Sequence, residues 1–408
     1  MATENKLPFS ETFRAIRLTT KTGDEYDFTG LVQELSIYED LFSNVLTGEA
    51  VVADGQGAAD KLSLSGGERL TVELVVAGDI SIHDFFCYAI TDRRKANMSS
   101  EVYKLKFVSF EQILNENTRC YSAIQGTNGE SVQKIFKSYI GSEKAFKVEP
   151  TIGNFKFVMP SWSPFEAINW YAGRSTSANT SGSYFLFWET LNGFNFRAVE
   201  TAIQDSVKAE YHYSPVTNQT VGKDVSNIRE YEVISQGDVL SASRESNTTL
   251  WTDDLIRKKI QKTRYEADDS KHTLQDNKLV TFDKNAFGVG LKERRDVFGS
   301  ETIYRPETRN VHTQTRQYTF GSIQPKLSGM RQMQGLKVRF LAHGQRTYSA
   351  GDVIKLDFQQ SRAITQEDKQ EARDNVLSGK YLVTAIHYLF KPQDFHMSVE
   401  AVKDSTRD

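Results

Sequence analysis

The sequence lacks the features that define membrane, secreted and nucleic-acid-binding proteins. Its apolar runs are far shorter than the roughly 20 residues of a membrane-spanning helix. Its N-terminus, MATENKLPFSETF, has no basic and apolar secretory signal. Fifty Lys and Arg against 53 Asp and Glu give a net charge of -3, without the basic surplus that phosphate binding requires. We therefore expect no membrane segment, no sequence-specific nucleic-acid partner, and synthesis in a reducing cytosol.

Cysteine and proline are also scarce. The two cysteines cannot form a disulfide framework, and Cys87 lies in an apolar strand-like run, which favours a buried structural thiol over a reactive one. Proline accounts for 8 of 408 residues, below the usual level of about 5%. Tyr and Phe are abundant, at 17 and 25 residues. Short segments of alternating polarity dominate, so we expect many β-strands.

The first 110 residues form a series of predicted strands. Residues 68–74 alternate polar and apolar side chains, with Leu70, Val72 and Leu74 on one face. Further strands are predicted at residues 13–18, 47–52, 85–90 and 102–108. Alternation of this kind, with turn residues roughly every 8–12 positions, is typical of an antiparallel sandwich or barrel.

Two helices are predicted once the period changes at about residue 115. The first begins at a capping box formed by Thr127 and Glu130 and ends at Gly141. The second begins at a capping box formed by Ser163 and Glu166 and ends near residue 173. Apolar residues recur at helical spacing in both segments, which predicts one buried face for each helix.

A polar loop and a hairpin follow the second helix. Residues 174–183 are small and polar, and we predict a mobile surface loop there. Residues 184–198 form two aromatic-rich strands around Asn192-Gly193, a dipeptide favoured by a type I′ turn. Together with the helices, this hairpin predicts a mixed α+β region over residues 115–200.

The region from 201 to 330 is less regular. Residues 227–235 and 279–282 alternate like strands, whereas residues 250–265 fit either a strand or a charged helix. Residues 266–278 and 299–318 are polar and are expected to be irregular.

The C-terminal region resembles the N-terminal region, which suggests an internal duplication. Three matched elements occur in the same order, with displacements of 284, 296 and 294 residues. The extra length of the second copy falls in a charged segment, residues 360–378, whose role the sequence leaves open. The matches are residues 67–74 with 351–358, Ile90 with Ile386, residues 103–107 with 397–401, and, further upstream, residues 48–53 with 335–340.

No catalytic or metal-binding arrangement is recognisable. The seven histidines show no helical zinc spacing, and neither cysteine has a partner at zinc-finger spacing. We interpret the carboxylate pairs at residues 253–254 and 268–269 as solvated, the Gly-x-Gly at residues 288–290 as a turn, and His387 as a packed or rim imidazole. We predict no catalytic residue, no metal and no cofactor.

Three groups of short motifs carry a resemblance to a known family. The first joins residues 35–40, 46–49 and 67–70, and the second is the helix entry at residues 162–166. The third joins residues 350–353, 379–383 and 385–387. Because the three groups of motifs occur in this order along the chain, the sequence resembles the central baseplate hub proteins of contractile-tailed bacteriophages. It also resembles the hub portion of type VI secretion tip proteins.

The resemblance implies a mainly β, α+β fold with two similar tube-type antiparallel β-barrels flanking an inserted domain. The first barrel would occupy residues 1–113. The inserted peripheral domain would take residues 114–200 and about 236–325. The second barrel would take about 201–235 and 326–408. The chain ends shortly after residue 403 with no spike or lysozyme module, so a separate spike protein is expected.

The resemblance also implies a structural function rather than an enzymatic one. Two β-modules in each chain let a homotrimer present six similar units, so a ring could adapt a hexameric partner to a trimeric one. The expected partners are the tail tube or a tube initiator on one face and a trimeric spike on the other. Baseplate wedge and tape measure proteins could also be contacted. The ring would lie in the virion tail baseplate after assembly in the host cytoplasm.

Two other functions remain open from the sequence. One is a tail-associated hydrolase of cell-wall material or polysaccharide, which lacks a recognisable acid/base pair. The other is a glycan-binding tail protein that would use exposed aromatic residues at positions 184–188, although that hairpin could equally belong to a core.

Overall fold

The computed structural model describes most of the chain. The described residues are 12–76, 78–180, 182–213, 226–236, 247–254, 258–266, 277–278, 301–307, 326, 335–359, 373–392 and 394–406. Across them β-strands predominate and helices are few and short, which confirms the predicted mainly β, α+β class. The N-terminal elements are β1 Thr12–Thr19, β2 Glu25–Asp27, β3 Val32–Asp40, β4 Thr47–Asp54, α1 Ala58–Lys61, β5 Arg69–Val76, β6 Asp79–Lys95 and β7 Glu101–Ser109.

The middle of the chain mixes helices with short strands. Its elements are α2 Phe110–Asn117, β8 Ala123–Gly126, α3 Asn128–Ile135 with a π-helical turn at Phe136–Ile140, β9 Phe146–Val148, β10 Phe155–Val158, α4 Pro164–Ala172, β11 Phe185–Thr190, β12 Gly193–Ala198 and α5 Val199–Ala202.

The described elements of the remaining chain are strands. They are β13 Ala209–Tyr213, β14 Ile228–Gln236, β15 Asn247–Asp254, β16 Lys259–Glu266, β17 Asn277–Lys278, β18 Glu301–Glu307, β19 Leu336–His343, β20 Val353–Phe358, β21 Gly379–Lys391, β22 Asp394–Lys403 and β23 Ser405–Thr406. Thirteen strands from both ends of the chain join in one large sheet, and smaller sheets of two or three strands lie beside it.

Local sequence signals explain several of these elements. The alternation in β5 buries Leu70, Val72 and Leu74, as predicted, because successive strand residues face opposite sides of the sheet. Both predicted capping boxes are present, at the starts of α3 and α4. The helical region nevertheless begins earlier than predicted, since α2 starts directly after β7.

The hairpin of β11 and β12 is present, but its turn differs from the prediction. Thr190 pairs with Gly193, so the two connecting residues are Leu191 and Asn192, and neither has the positive φ that a type I′ turn requires. Gly193 is the first residue of β12, with φ of 116°. A side chain there would collide with the Ala145 carbonyl oxygen, so close packing rather than turn chemistry requires the glycine.

The surface position predicted for residues 174–183 is wrong for several of them, although Ala178 and Asn179 are exposed; the mobility stays a prediction. Ser175, Ser177 and Ser183 are buried, and the Ser177 hydroxyl donates a hydrogen bond to the carboxylate of Glu149. The carboxylate of Glu200 accepts hydrogen bonds from the backbone N–H of Ser183, at 3.1 Å, and of its neighbour Tyr184. Buried carboxylates therefore hold a segment that has few apolar groups of its own.

The described residues of 250–265, which fitted either a strand or a helix, lie almost entirely in the antiparallel strands β15 and β16. Strand β18 pairs parallel to β15, so Glu301–Glu307 is regular where an irregular segment was expected. The predicted strand at 279–282 and most of the expected irregular segment at 266–278 lie outside the described residues.

Two sets of five strands repeat one pairing order. In the first strand set, neighbours pair antiparallel in the order β3-β4-β7-β6-β5. In the second strand set the order is β14-β19-β22-β21-β20, again antiparallel throughout. The flanking strands differ, since β1 pairs antiparallel with β5 whereas β13 pairs parallel with β20.

Irregularities in the pairing also repeat. A β-bulge separates Cys87 from Ala89 in β6, and one separates Val383 from Ala385 in β21, at the same register against β7 and β22. A second repeated bulge lies near the start of β3 and of β14. The first bulge reproduces the sequence displacements of 296 and 294 residues, and the pairing of Phe86 with Arg69 and of Leu382 with Val353 reproduces the displacement of 284 residues. A bulge holds a fixed register, so its recurrence supports a common origin of the two sets.

The same backbone contacts flank the first bulge in both sets. Gly67 N–H donates to the Cys87 carbonyl at 2.7 Å, and Gly351 N–H donates to the Val383 carbonyl at 2.9 Å. Both glycines have a positive φ, of 102° and 95°. The conformation is readily available to glycine, which explains why glycine occupies both equivalent positions.

The predicted match of residues 48–53 with 335–340 is wrong by three residues. Gly48 pairs with Phe107 and Val338 pairs with Ala401, so Gly48 is equivalent to Val338. A three-residue slip would exchange the two faces of the strand and expose its buried side chains. The burial of alternate residues in β4 and β19 fits the register observed here.

Candidate functional site: the junction between the strand sets

Strands β3 and β21 join the two strand sets into one sheet. They pair antiparallel over six residue pairs, from Leu35 with Phe390 to Asp40 with Ala385. Beyond the last pair, Leu41 N–H donates to the Thr384 carbonyl at 2.8 Å. We call this region the junction.

His387 is part of the packing of the junction. Its imidazole ring stacks on Tyr38, with ring centroids 4.5 Å apart, and its Nε2 is hydrogen-bonded to the Ser36 hydroxyl at 2.9 Å. Burial lowers the pKa of His387, which favours the neutral imidazole. These contacts confirm the predicted packed role.

Glu39 is a buried carboxylate that connects three parts of the chain. It lies on β3 and is 1% exposed. Its carboxylate accepts the Leu191 N–H at 2.7 Å, from the turn between β11 and β12, and the Ala350 N–H at 2.9 Å, from the loop before β20. Burial raises the pKa of Glu39 to about 7 in spite of these hydrogen bonds.

Lys144 connects two further buried carboxylates beside the junction. Its ammonium group lies 2.7 Å from the carboxylates of both Glu111 and Glu189, which are 6% and 1% exposed. Burial alone would lower the pKa of Lys144, but the two carboxylates raise it. Burial raises the pKa of Glu189, which also accepts the Leu46 N–H at 2.9 Å. This network fastens the β11–β12 hairpin to the first strand set.

Trp188 connects the same hairpin to the second strand set. Its indole N–H donates to the Ala350 carbonyl at 2.9 Å. A Cβ on Gly351 would lie 2.6 Å from the indole ring, so the ring packs directly against the backbone. Tyr184, Phe185 and Phe187 are buried as well, which contradicts the hypothesis that this hairpin presents exposed aromatics to a glycan.

Apart from His387, the residues considered for chemistry do not gather at the junction. Cys87 and Cys120 are buried and free, and burial raises the pKa of their thiols to about 12 and about 11. Asp253 and Asp254 occupy consecutive positions of β15, whereas residues 268–269 and 288–290 lie outside the described residues.

Among the described residues, no group of three or more His, Cys, Asp and Glu side chains could hold a metal ion. No helix within the same residues is long and apolar enough to cross a membrane.

The sequence analysis did not identify the buried carboxylates of the junction. One signal was available for Glu39, because it occupies an inward position of β3 in register with Leu35 and Ile37. A charged residue in an apolar stripe indicates a satisfied polar contact or a functional group. The partners of Lys144 lie 33 and 45 residues away in sequence, so no local pattern could have identified them.

Two solved structures share this architecture over nearly the whole chain. A tail protein from Neisseria meningitidis MC58 matches with a TM-score of 0.59 and 12% identity, covering 96% of each chain. The 43 kDa tail protein of prophage MuSo2 from Shewanella oneidensis matches with a TM-score of 0.52 and 9% identity, covering 95% of this chain and 98% of that one. The chain has the fold of these tail proteins. The predicted resemblance is thereby confirmed at the level of the fold.

Another solved structure resembles this chain more weakly. A chain of the Francisella PdpA-VgrG complex matches 96% of this chain and 59% of its own length, at 10% identity and a TM-score of only 0.46. No protein-family model and no curated protein sequence matches this chain.

Proposed function

We propose that this protein is a structural component of a phage-type tail, located in the virion baseplate. The shared fold of two tail proteins supports this proposal. A structural role also fits the junction, whose buried polar groups satisfy one another and fasten separate parts of the chain together. Assembly before incorporation would take place in the host cytoplasm.

Within this function, the chain is divided into two β-modules and an insertion. The first module takes residues 1–113, and the second takes about 201–235 with 326–408. The peripheral insertion takes 114–200 and about 236–325. The repeated pairing order supports the two modules. A separate apolar cluster under α3, α4 and the β11–β12 hairpin supports the insertion.

Three copies of the chain would form a ring that adapts a hexameric tail tube to a trimeric spike. One chain supplies two similar strand sets, so three chains around a threefold axis supply six similar units. One face can then match a sixfold partner and the other a threefold partner. Duplication of the strand pairing, including its bulges, is the observation on which this proposal depends.

The mass and symmetry of the purified protein test this proposal. A homotrimer has three times the 46.3 kDa of one chain, and native mass spectrometry resolves it from a monomer or dimer. Electron microscopy of the same sample, viewed along the axis, should show three large units with six similar density lobes. A particle with any other copy number around the axis would refute the ring.

The hydrolase alternative is tested separately. The purified ring is incubated with peptidoglycan and with host polysaccharide, and released fragments are measured. We expect no release above a heat-denatured control. Turnover that a single carboxylate substitution abolishes would favour an enzyme instead.

A further inference from the structure

Two strand edges have no partner among the described residues. Strand β14 ends the order of the large sheet, and only its β19 side is paired, although Asn227 directly before it bridges to His212 of β13. Strand β6 pairs with β5 through Phe86 and with β7 along its length, which leaves the β5 side of residues 89–95 unpaired in the described chain. Unpaired strand edges are templates for pairing with another chain.

The junction shows how these two edges can pair. In the repeated pairing order, β3 of the first set is equivalent to β14 of the second, and β21 of the second is equivalent to β6 of the first. Strand β21 leaves β20 after Leu382 and then pairs with β3. Strand β6 leaves β5 at the equivalent position without a described partner.

We propose that β14 of one copy pairs antiparallel with β6 of the next copy, as β3 pairs with β21 within one chain. The inference rests on the proposed ring and specifies its contacts. Transferring the junction register places Tyr231 opposite Lys95, Glu232 opposite Arg94, and Ser235 opposite Thr91. Relative to β3 and β21, strand β14 has one extra residue between Val233 and Ser235, and strand β6 has one between Thr91 and Arg94. The two extra residues face each other, so the same register holds before and after them.

Burial at the two edges fits a missing partner. Leu35 and Ile386 are 0% and 1% exposed in the junction, whereas their equivalents, Tyr231 of β14 and Ile90 of β6, are only half-buried. Apolar groups are also exposed on the same edges. Ile234 of β14 is 40% exposed and Tyr88 of β6 is 51% exposed.

Charge also favours this pairing over contact between two identical edges. The exposed charges of the β14 edge are Arg229, Glu230 and Glu232, a net charge of -1, and those of the β6 edge are Asp92, Arg93, Arg94 and Lys95, a net charge of +2. Arg93 already pairs with Asp60 and Glu101, and Glu232 lies 3.6 Å from Arg339. Opposite charges facing each other across paired strands stabilise them, whereas like charges destabilise them. A contact between two different edges is head-to-tail, which closes into a ring when the rotation permits.

Disulfide trapping tests the register. Thr91→Cys and Ser235→Cys occupy the positions equivalent to His387 and Tyr38, whose rings stack face to face. Chains carrying both substitutions should form a covalent trimer under oxidising conditions, and a mixture of the two single variants should form a covalent dimer. Each single variant alone should form neither, because the native cysteines are buried.

Charge reversal tests the contact without relying on oxidation. Glu232→Arg and Arg94→Glu should each weaken assembly at least tenfold in sedimentation equilibrium, while the double variant should recover most of it. Both side chains are exposed, so the single variants should keep the native circular dichroism spectrum. Reversal of Glu116, exposed on α2, is the matched control and should leave assembly unchanged.

The outcomes separate this inference from the proposed function. A trimer that neither forms the disulfides nor responds to charge reversal overturns the edge pairing but retains the ring. An open ladder of cross-linked chains supports the edge pairing and overturns the ring of three. A protein that stays monomeric at every concentration and forms no disulfide overturns both.

Discussion

The ionisation of Glu39 makes the stability of the junction depend on pH. Burial raises the pKa of Glu39 from its ordinary value of 4.5 to about 7, against the opposing effect of the Leu191 and Ala350 N–H groups. The folded state therefore binds this proton more tightly than an opened state does. Stability from this group is fully present below pH 4.5 and is lost as the pH rises through 7.

The size of the effect follows from the two pKa values. At about 1.4 kcal/mol per pKa unit, the full loss is about 3 kcal/mol at high pH. Between about pH 5.5 and about pH 8.5 the change is about 2 kcal/mol, equivalent to about 30-fold in the opening equilibrium. Glu39 is 1% exposed, so solvent does not screen the effect appreciably.

Hydrogen–deuterium exchange measures this opening at the amides that Glu39 binds. After correction for intrinsic exchange, protection of peptides containing Leu191 and Ala350 should fall about 30-fold between these two pH values. Glu39→Gln should remove most of this dependence. Subtracting its profile cancels other groups that titrate in this range, such as Lys403, whose pKa burial lowers to about 8.

A matched control uses the same strand. Glu34 of β3 has a side chain that is 34% exposed, so Glu34→Gln should leave the native pH dependence intact. Equal protection of the native chain at both pH values would show that Glu39 is charged throughout and would refute the reasoning.

Three substitutions test the contacts around the junction by thermal unfolding. Lys144→Ala leaves two buried carboxylates unpaired and should destabilise by about 3–5 kcal/mol, whereas Lys147→Ala, at an exposed site, should change little. Gly351→Ala combines a positive φ with contact against Trp188 and should cost about 2–5 kcal/mol, more than Gly23→Ala, where φ is positive but the space is open. Trp188→Phe leaves the carbonyl that its indole N–H bonds without that donor and should cost about 1–3 kcal/mol. If Lys144→Ala or Gly351→Ala melted at the same temperature as its control variant, or Trp188→Phe at the same temperature as the native chain, the stabilising role of that contact would be refuted.

Features coded by neighbouring residues could be predicted from the sequence. Capping boxes need two residues three positions apart, and strand alternation needs only a few, so α3, α4 and β5 were identified. The strands from residue 250 to 265 stayed ambiguous because their partner β18 is distant in sequence. The pairing that distinguishes a strand from a helix there is not local.

Features set by distant partners could not be predicted. Residues 174–183 have the composition of a surface loop, but Glu149 and Glu200 supply buried acceptors for them. The sequence match of Gly48 with Gly335 gives the wrong register for β19. Burial and pairing with β22 fix the actual register. The junction itself pairs β3 with β21 and contacts the β11–β12 turn and the loop before β20, which no single stretch of sequence contains.

The buried polar groups of the junction bear directly on the proposed ring. An adapter transmits symmetry only if its two modules keep a fixed relative orientation, and continuous strand pairing between β3 and β21 supplies this within one chain. The β11–β12 hairpin adds two hydrogen bonds, from the Leu191 N–H to Glu39 and from the Trp188 indole N–H to the Ala350 carbonyl, so a rotation of one module would leave buried polar groups unpaired. Apolar contacts alone would resist such a rotation less specifically, because they are not directional. If β14 and β6 repeat this pairing between copies, neighbouring chains would be held by the same backbone geometry, and the pseudo-sixfold arrangement would follow from one repeated contact.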